Sequence, residues 1–532
     1  MTGRRGAVAV AAVLVVAGAA VVAGVGGRGR RAVPSTAAPA TTTVAPVAAP
    51  TTTAPTRPWS GPDWVAAENR RPGTSAWHLT HLGAAHAIEG WADRASAAPG
   101  DPVRLYVSTT ATRFRVAAYR MGWYGGLGGR LVWRSPSLPG RRQPPPARTP
   151  GTNMVATRWR PSLRLTVRPD WPPGDYLLKL IAASGQRYVP LTVRDDASHA
   201  ALVIQNDVTT WQAYNLWGGY NLYRGPGGSL ENRSRVVSFD RPYGPAGEGA
   251  GDWLGNEYPL VRLVERLGLD VTYGTDVDLH QHPGRLLAHR ALVSLGHDEY
   301  WSTRMRRGAE GARAAGVNLV FLGANAVYRH IRLRASPTGP DREEVNYKPW
   351  SVGDDPAWRT KPSEVTTDWR RPPLNDPESR LLGAMYECNP ARAAGVVVAP
   401  SSWLFARAGV RSGTVLPDLV GDEYDRVQAR RPRPPGVELL LHSPVTCRGR
   451  PSFADATWYT AASGAGVFDA GTGSWVCQLD RVCAEHRRSA VTARVVRVVT
   501  TNLLRAVAAG PAGERHPSRS NLARFRIVPS GL

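Results

Sequence analysis

Residues 291–302 read ALVSLGHDEYWS. An apolar run ends at Gly296, and His297, Asp298, Glu299 and Tyr300 follow at once. An imidazole, two carboxyls and a phenol in four residues can move protons or hold a hard metal ion. Two other apolar runs end in polar groups. ALVIQND leads to Asn206 and Asp207, and NLVFLGAN leads to Asn325. Parallel strands bind ligands at their carboxyl ends, so three such ends together point to a site. Taken singly, each residue has a plainer reading: Asn and Asp cap the next helix, and His297 satisfies a turn.

Several chemistries are excluded. The chain has no GxSxG, no HExxH and no phosphate-binding P-loop. No Cys follows a strand as a nucleophile would. Asp298 and Glu299 are sequence neighbours, a poor arrangement for flanking a glycosidic bond. LHQHP spaces His280 and His282 like metal ligands, but it follows a predicted helix and reads as surface. The glycine-rich tract YRMGWYGGLGGRLV (119–132) lacks the context of a nucleotide loop and reads as a hairpin or bulge. Its Trp123 and Tyr124 are placed to pack on a neighbouring domain or to face a ligand.

The elements that must position these groups fall into two blocks. Residues 59–197 alternate as strands, with Val103, Leu105 and Val107 on one face of VRLYVST and Phe114, Val116 and Ala118 on one face of FRVAAYR. Gly and Pro turns separate the runs, as in an all-β sandwich. From 198 to 532 strands and helices alternate, which predicts an α/β domain with a parallel sheet. YPLVRLVERLG carries Leu260, Val264 and Leu267 at helical spacing and stops at Gly268. STRMRRGAEGARAAG starts at an N-cap, Ser302, and ends at Gly316. DVTYGTD and RALVSLG are further strands, and SAVTARVVRVVTTNLLRAV is a last helix. The proline-rich residues 340–440 are expected to form long loops over the sheet.

The chain has 532 residues, 42% hydrophobic and 20% charged, enough for two cores. Its net charge is +24, and all but three of its 66 basic residues are Arg. The Arg residues are scattered and no nucleic-acid motif is present, so a nucleic-acid partner is not expected. An anionic cell wall is the better counterpart. Residues 1–31 combine a basic start with an apolar run at 7–27, an export signal or a membrane anchor. Residues 32–58 are Pro, Thr and Ala, a stalk. The folded part is therefore expected to be secreted or held at the outer face of the membrane. Four Cys fit an oxidising compartment. Cys477 and Cys483 are close enough to pair, leaving Cys388 with Cys447.

NDVTTWQAYNLWGGYNLY (206–223), VVSFDRPY (236–243), LVSLGHDEYWS and NLVFLGANAVYRHIR (318–332) resemble the C-terminal domain of the large subunit of N,N-dimethylformamidase. EGWADRASAAPGD and YRMGWYGGLGGRLV are similar to the β-rich domain before it. The resemblance implies a β-sandwich followed by an α/β domain like class I glutamine amidotransferases. It also implies an amidohydrolase with one iron (Fe3+) held by two tyrosines and a glutamate. Matched by motif, the ligands are Tyr214 of WQAYN, Tyr243 of DRPY and Glu299 of GHDEY, with Tyr220 and Tyr223 close by. His297, Asn325, Lys348 of NYKPW and Glu423 of VGDEYD match the catalytic groups around the metal.

Phenolate and carboxylate are hard oxygen donors suited to ferric iron, and such a metal activates water toward an amide. The expected substrate is a small or envelope-derived amide rather than dimethylformamide itself, since export and a stalk set this chain apart from a cytoplasmic complex. Whether a small partner subunit or a homo-oligomer forms is left open. The competing reading is a non-catalytic envelope protein that binds carbohydrate or peptidoglycan.

Overall fold

The computed structural model describes residues 61–481 and 488–527, together with Trp59, Cys483 and Pro529. All of them belong to one compact unit, Thr56–Leu532. The expected export segment and nearly all of the stalk lie outside the described residues. Among the described residues no helix is long and apolar enough to cross a membrane.

The first block is a sandwich. A three-stranded sheet, Ile88–Ala92, Pro102–Thr109 and Leu163–Thr166, faces a six-stranded one built around Arg113–Met121, Gly174–Ala182 and Gly185–Val193. Val103, Leu105, Val107, Phe114, Val116 and Ala118 fill the space between them with Leu178 and Leu180, as the alternation predicts. The glycine-rich tract is the predicted hairpin: Arg113–Met121 pairs with Gly129–Arg134, with a register shift at Ala118 and Tyr119.

The second block carries a seven-stranded sheet. Val271–Thr275, Leu202–Asn206, Ala291–Gly296, Asn318–Gly323 and Gly466–Asp469 run parallel in that order. Arg450–Thr460 and Glu438–Cys447 extend it antiparallel. Helices cover both faces. Leu260, Val261 and Val264 of Tyr258–Leu267, with Val495, Val499 and Leu503 of Ala490–Ala508, pack on one face. Met305, Ala309 and Ala312 of Thr303–Ala314 pack on the other. Ser302 caps that last helix through the Met305 N–H, and Gly268 closes Tyr258–Leu267 in the left-handed conformation.

The chain leaves Leu202–Asn206 for one edge and returns to Ala291–Gly296 on the other side. The switch of direction opens a crevice at the carboxyl ends of these two strands, the usual place for a ligand in such a sheet. Gly296 and Gly323 sit side by side in register there. A Cβ on Gly323 would collide with the Gly296 carbonyl, so glycine at this position lets the two strand ends close up.

Residues 340–440 differ from the expected loops. They contain Met385–Val396 and Val415–Arg426, a twelve-residue antiparallel pair, and most of Gly339–Val345, which pairs with Arg329–Ser336. Register shifts interrupt the long pair, which hides its alternation from a sequence reading. The Cys388–Cys447 disulfide ties the pair to the antiparallel edge of the main sheet, and Cys477 joins Cys483. Both pairings are those expected.

Candidate functional site

Glu299 lies three residues past the end of Ala291–Gly296 and is fully buried. Its backbone N–H donates to Thr210 Oγ1 at 3.0 Å, and its carbonyl accepts from the Arg329 N–H at 2.8 Å. The backbone is thus held from both sides while the carboxylate points at two phenols. Tyr214 Oη donates to Glu299 Oε2 at 2.8 Å. Tyr223 Oη lies 2.6 and 2.7 Å from the two carboxylate oxygens, and the phenol oxygens are 3.0 Å apart.

The chain between the tyrosines explains this geometry. Tyr214 ends the helix Val208–Tyr214. Gly218 and Gly219, both at positive φ, turn the chain back. The Leu222 N–H then donates to the Ala213 carbonyl, and Asn221 Nδ2 to the Tyr214 carbonyl. Tyr223 arrives beside Tyr214 with rings stacked at 4.5 Å. Arg241 locks the turn. It is fully buried and donates to the carbonyls of Gln212, Asn215, Trp217 and Tyr220.

Tyr243, expected to be the second ligand, stands elsewhere. The Pro242 carbonyl accepts from Asn215 Nδ2, and the Gly244 N–H donates to Asn215 Oδ1. That anchoring turns the Tyr243 ring edge-on to Trp211 at 6.1 Å, on the wall of a cavity facing the sandwich. Tyr223 occupies the place beside Glu299 instead. DRPY does serve the site, through Arg241.

The other expected groups gather around Glu299. His297 Nε2 lies 3.5 Å from Glu299 Oε2, 3.3 Å from Glu423 Oε2 and 3.5 Å from Asn325 Nδ2. Burial alone would lower its pKa, but the Glu423 and Glu299 carboxylates outweigh that and hold it well above the ordinary histidine value. Glu423 comes from the long antiparallel pair and accepts from Asn389 Nδ2 at 2.8 Å. Asn325 is held at a positive φ by its N–H bond to Asp425 Oδ1. Its Oδ1 is buried without a hydrogen-bond partner.

Lys348 is fully buried. It donates to Tyr300 Oη at 2.6 Å and lies 3.7 Å from the centre of the Tyr223 ring. Burial and the nearby Arg329 guanidinium push its pKa well below the usual lysine value. Two groups at the site, Arg329 and Asn389, escaped the sequence reading. Arg329 donates to Glu299 Oε1 at 3.0 Å and pairs with Asp368. Asn389 supports Glu423, and Tyr300 receives Lys348. Arg329 sits inside a recognised stretch, but nothing in its spacing marks it among so many arginines. Two of the three strand ends meet here. Asn206 turns instead to Asp175 and Thr192 of the sandwich, and Asp207 is buried beside Glu257 and Asp298. His280 is structural, bonding the Ser302 hydroxyl at 2.7 Å.

Burial would raise the Glu299 pKa, but His297, Arg329 and Lys348 hold it well below the carboxylate range. Burial and the Glu299 charge keep both phenols well above theirs. The result is one ionised carboxylate and two neutral phenols whose oxygens converge. Counted over His, Cys, Asp and Glu alone, no group of three among the described residues is arranged to hold a metal ion. The phenols supply the remaining donors. Tyr214, Tyr223 and Glu299 form a hard all-oxygen set that a trivalent cation could enter by displacing two phenolic protons.

No curated protein matches the sequence. The family model described as N,N-dimethylformamidase beta subunit-like, C-terminal, matches residues 115–488. That span runs from the sandwich through the tyrosine turn, GHDEY, Lys348 and Glu423, well over half of the chain, and the chain belongs to that family.

Proposed function

We propose that the protein is an exported amidohydrolase that cleaves the C–N bond of an amide, with ferric iron held by Tyr214, Tyr223 and Glu299. The observation that carries this reading is the convergence of those three oxygen donors beside His297, Glu423 and Asn325. The family name supports amide hydrolysis as the reaction type. A class I glutamine amidotransferase-like ancestry of the α/β domain belongs to the same proposal, as does a partner subunit of the kind that "beta subunit" implies.

The bound iron would supply Lewis acidity toward the amide carbonyl and toward water. The chain's own groups do the rest. Asn325 Nδ2 donates to the carbonyl oxygen as negative charge develops on it. Glu423 takes a proton from the attacking water, whose oxygen bonds to the carbonyl carbon. His297 gives its Nε2 proton to the nitrogen as the C–N bond breaks. Glu423 then returns its proton to His297 across 3.3 Å. Acid and amine leave, and both groups are restored. Arg329 and Lys348 keep Glu299 ionised throughout.

The test is a visible spectrum and elemental analysis of purified protein, followed by a screen of small linear amides. The reading expects a broad tyrosinate-to-iron band, about one iron per chain, and turnover of an amide in that screen. Glu299→Ala should lose band and iron while keeping its circular dichroism. Protein that stays colourless and metal-free when iron is offered would remove the metal mechanism and favour a non-catalytic binding protein.

A further inference from the structure

A second cleft lies against the helix Tyr258–Leu267. Trp123 of the sandwich hairpin forms one wall, with Arg262 and Arg266. Asp480, Arg481, Arg488 and Arg497 form the other, beside the Cys477–Cys483 disulfide. Five guanidinium groups thus face one carboxylate. That carboxylate is committed, since Asp480 pairs with Arg262 at 2.7 Å.

Arg266, Arg481, Arg488 and Arg497 have no carboxylate partner among the described residues. Neutral contacts hold several of them. Arg488 donates to the Gln478 carbonyl at 3.0 Å and Arg497 to the Leu479 carbonyl at 3.3 Å. Arg262 and Arg266 lie 5.1 and 4.8 Å from the centre of the Trp123 ring. Other arginines have a carboxylate at hand, as in Arg104 with Asp93, Arg332 with Asp355 and Arg370 with Glu378, and those held by carbonyls alone, such as Arg241 and Arg494, stand singly rather than in a cluster lining one cleft. Burial and the charges of Arg497 and Arg481 lower the Arg488 pKa although Asp480 works the other way, which fits cations in excess of the carboxylates among the described residues of the cleft. Such an arrangement costs free energy that a multivalent anion would return through forked, charge-assisted hydrogen bonds.

We propose that this cleft binds a phosphate-type oxyanion carrying two or more negative charges, either free or repeated along a chain. The site is independent of the tyrosine centre. The test is calorimetric titration of metal-free full-length protein at low ionic strength, with inorganic pyrophosphate and separately with long-chain polyphosphate. We expect one saturable pyrophosphate site per chain that weakens as salt is raised. Arg488→Gln with Arg497→Gln should weaken it at least about tenfold, with an unchanged melting temperature showing that the variant is folded. Glu299→Ala should bind as wild type does, which separates this site from the tyrosine centre. Tighter binding of polyphosphate per site would identify the chain form, and equal binding the free anion. Unchanged affinity in the double variant, or no saturable binding, would overturn the proposal.

Discussion

Tyr223 and Tyr243 separate what a motif match can do from what the fold decides. Both lie in family-like stretches, and both are tyrosines after a turn. Only Tyr223 reaches Glu299, because Gly218 and Gly219 reverse the chain between it and Tyr214. Tyr223→Phe removes one oxygen from the centre and leaves the ring stack in place. If the proposed iron centre is right, it should lower iron affinity at least about a hundredfold, since even partners outside the first coordination sphere are worth 10- to 100-fold. Tyr243→Phe should keep wild-type iron content and visible band. Iron titration of the two variants decides the matter, and the reverse result would return the ligand role to Tyr243. The signal for the tyrosine that reaches Glu299 was present in the sequence as the paired glycines. Its meaning was not, because the reversal also depends on Asn221 and on Arg241, twenty residues further on.

Among the elements, the strands and helices that carry single hydrogen-bonded patterns were legible. Leu202–Asn206, Ala291–Gly296 and Asn318–Gly323 appear as apolar runs with polar ends, and Ser302 and Gly268 mark helix limits. The pair Met385–Val396 and Val415–Arg426 was not, since its bulges break the period of two on which such a reading rests. The turn between the tyrosines is likewise an element with no periodic signal. Its stability rests on Arg241, whose charge is matched by carbonyl dipoles rather than by an acid. Arg241→Lys cannot reach four carbonyls with one ammonium. Amide exchange within residues 215–223 should therefore quicken by an order of magnitude or more, while exchange in the helix Ala490–Ala508 stays as it was. Equal exchange in both regions would show that the turn holds without Arg241.

At the scale of the whole molecule, the sandwich and the α/β block share a core that neither pattern predicts. From Val116 onward the strand Arg113–Met121 is buried on both faces. Val116 and Ala118 face the sandwich interior, while Ala117, Tyr119 and Met121 join Tyr258 and Val261 of the α/β block. Arg120 crosses to Glu265 at 2.7 Å, both fully buried. Alternation in a sequence shows which side chains share a face, but it does not name the partner of that face.

Burial on this scale leaves carboxyls that fold more readily with a proton on them. Asp425, which holds the Asn325 N–H, faces Asp469. Burial raises the Asp425 pKa to about 7, and Asp469 is raised well above its ordinary value. Burial likewise raises Asp175, between the two blocks, to about 6. A raised carboxyl pKa means that the folded chain binds the proton more tightly than the unfolded one. For Asp425 the resulting contribution is complete below about pH 4 and is lost as pH rises through about 7. Each pKa unit is worth about 1.4 kcal/mol, so the rise at Asp425 alone is worth on the order of 4 kcal/mol. Asp425→Asn keeps an oxygen for the Asn325 N–H and presents an amide N–H to Asp469, imitating the protonated form. Chemical denaturation across pH 4–8 should give a wild-type stability that declines with pH. The variant should decline less and be the more stable protein at pH 8, with the residual slope belonging to the other buried carboxyls whose pKa values are raised, Asp175, Asp207, Glu257, Asp276, Asp298 and Glu344 among them. An unchanged slope in the variant would mean that the pair does not carry the shared proton.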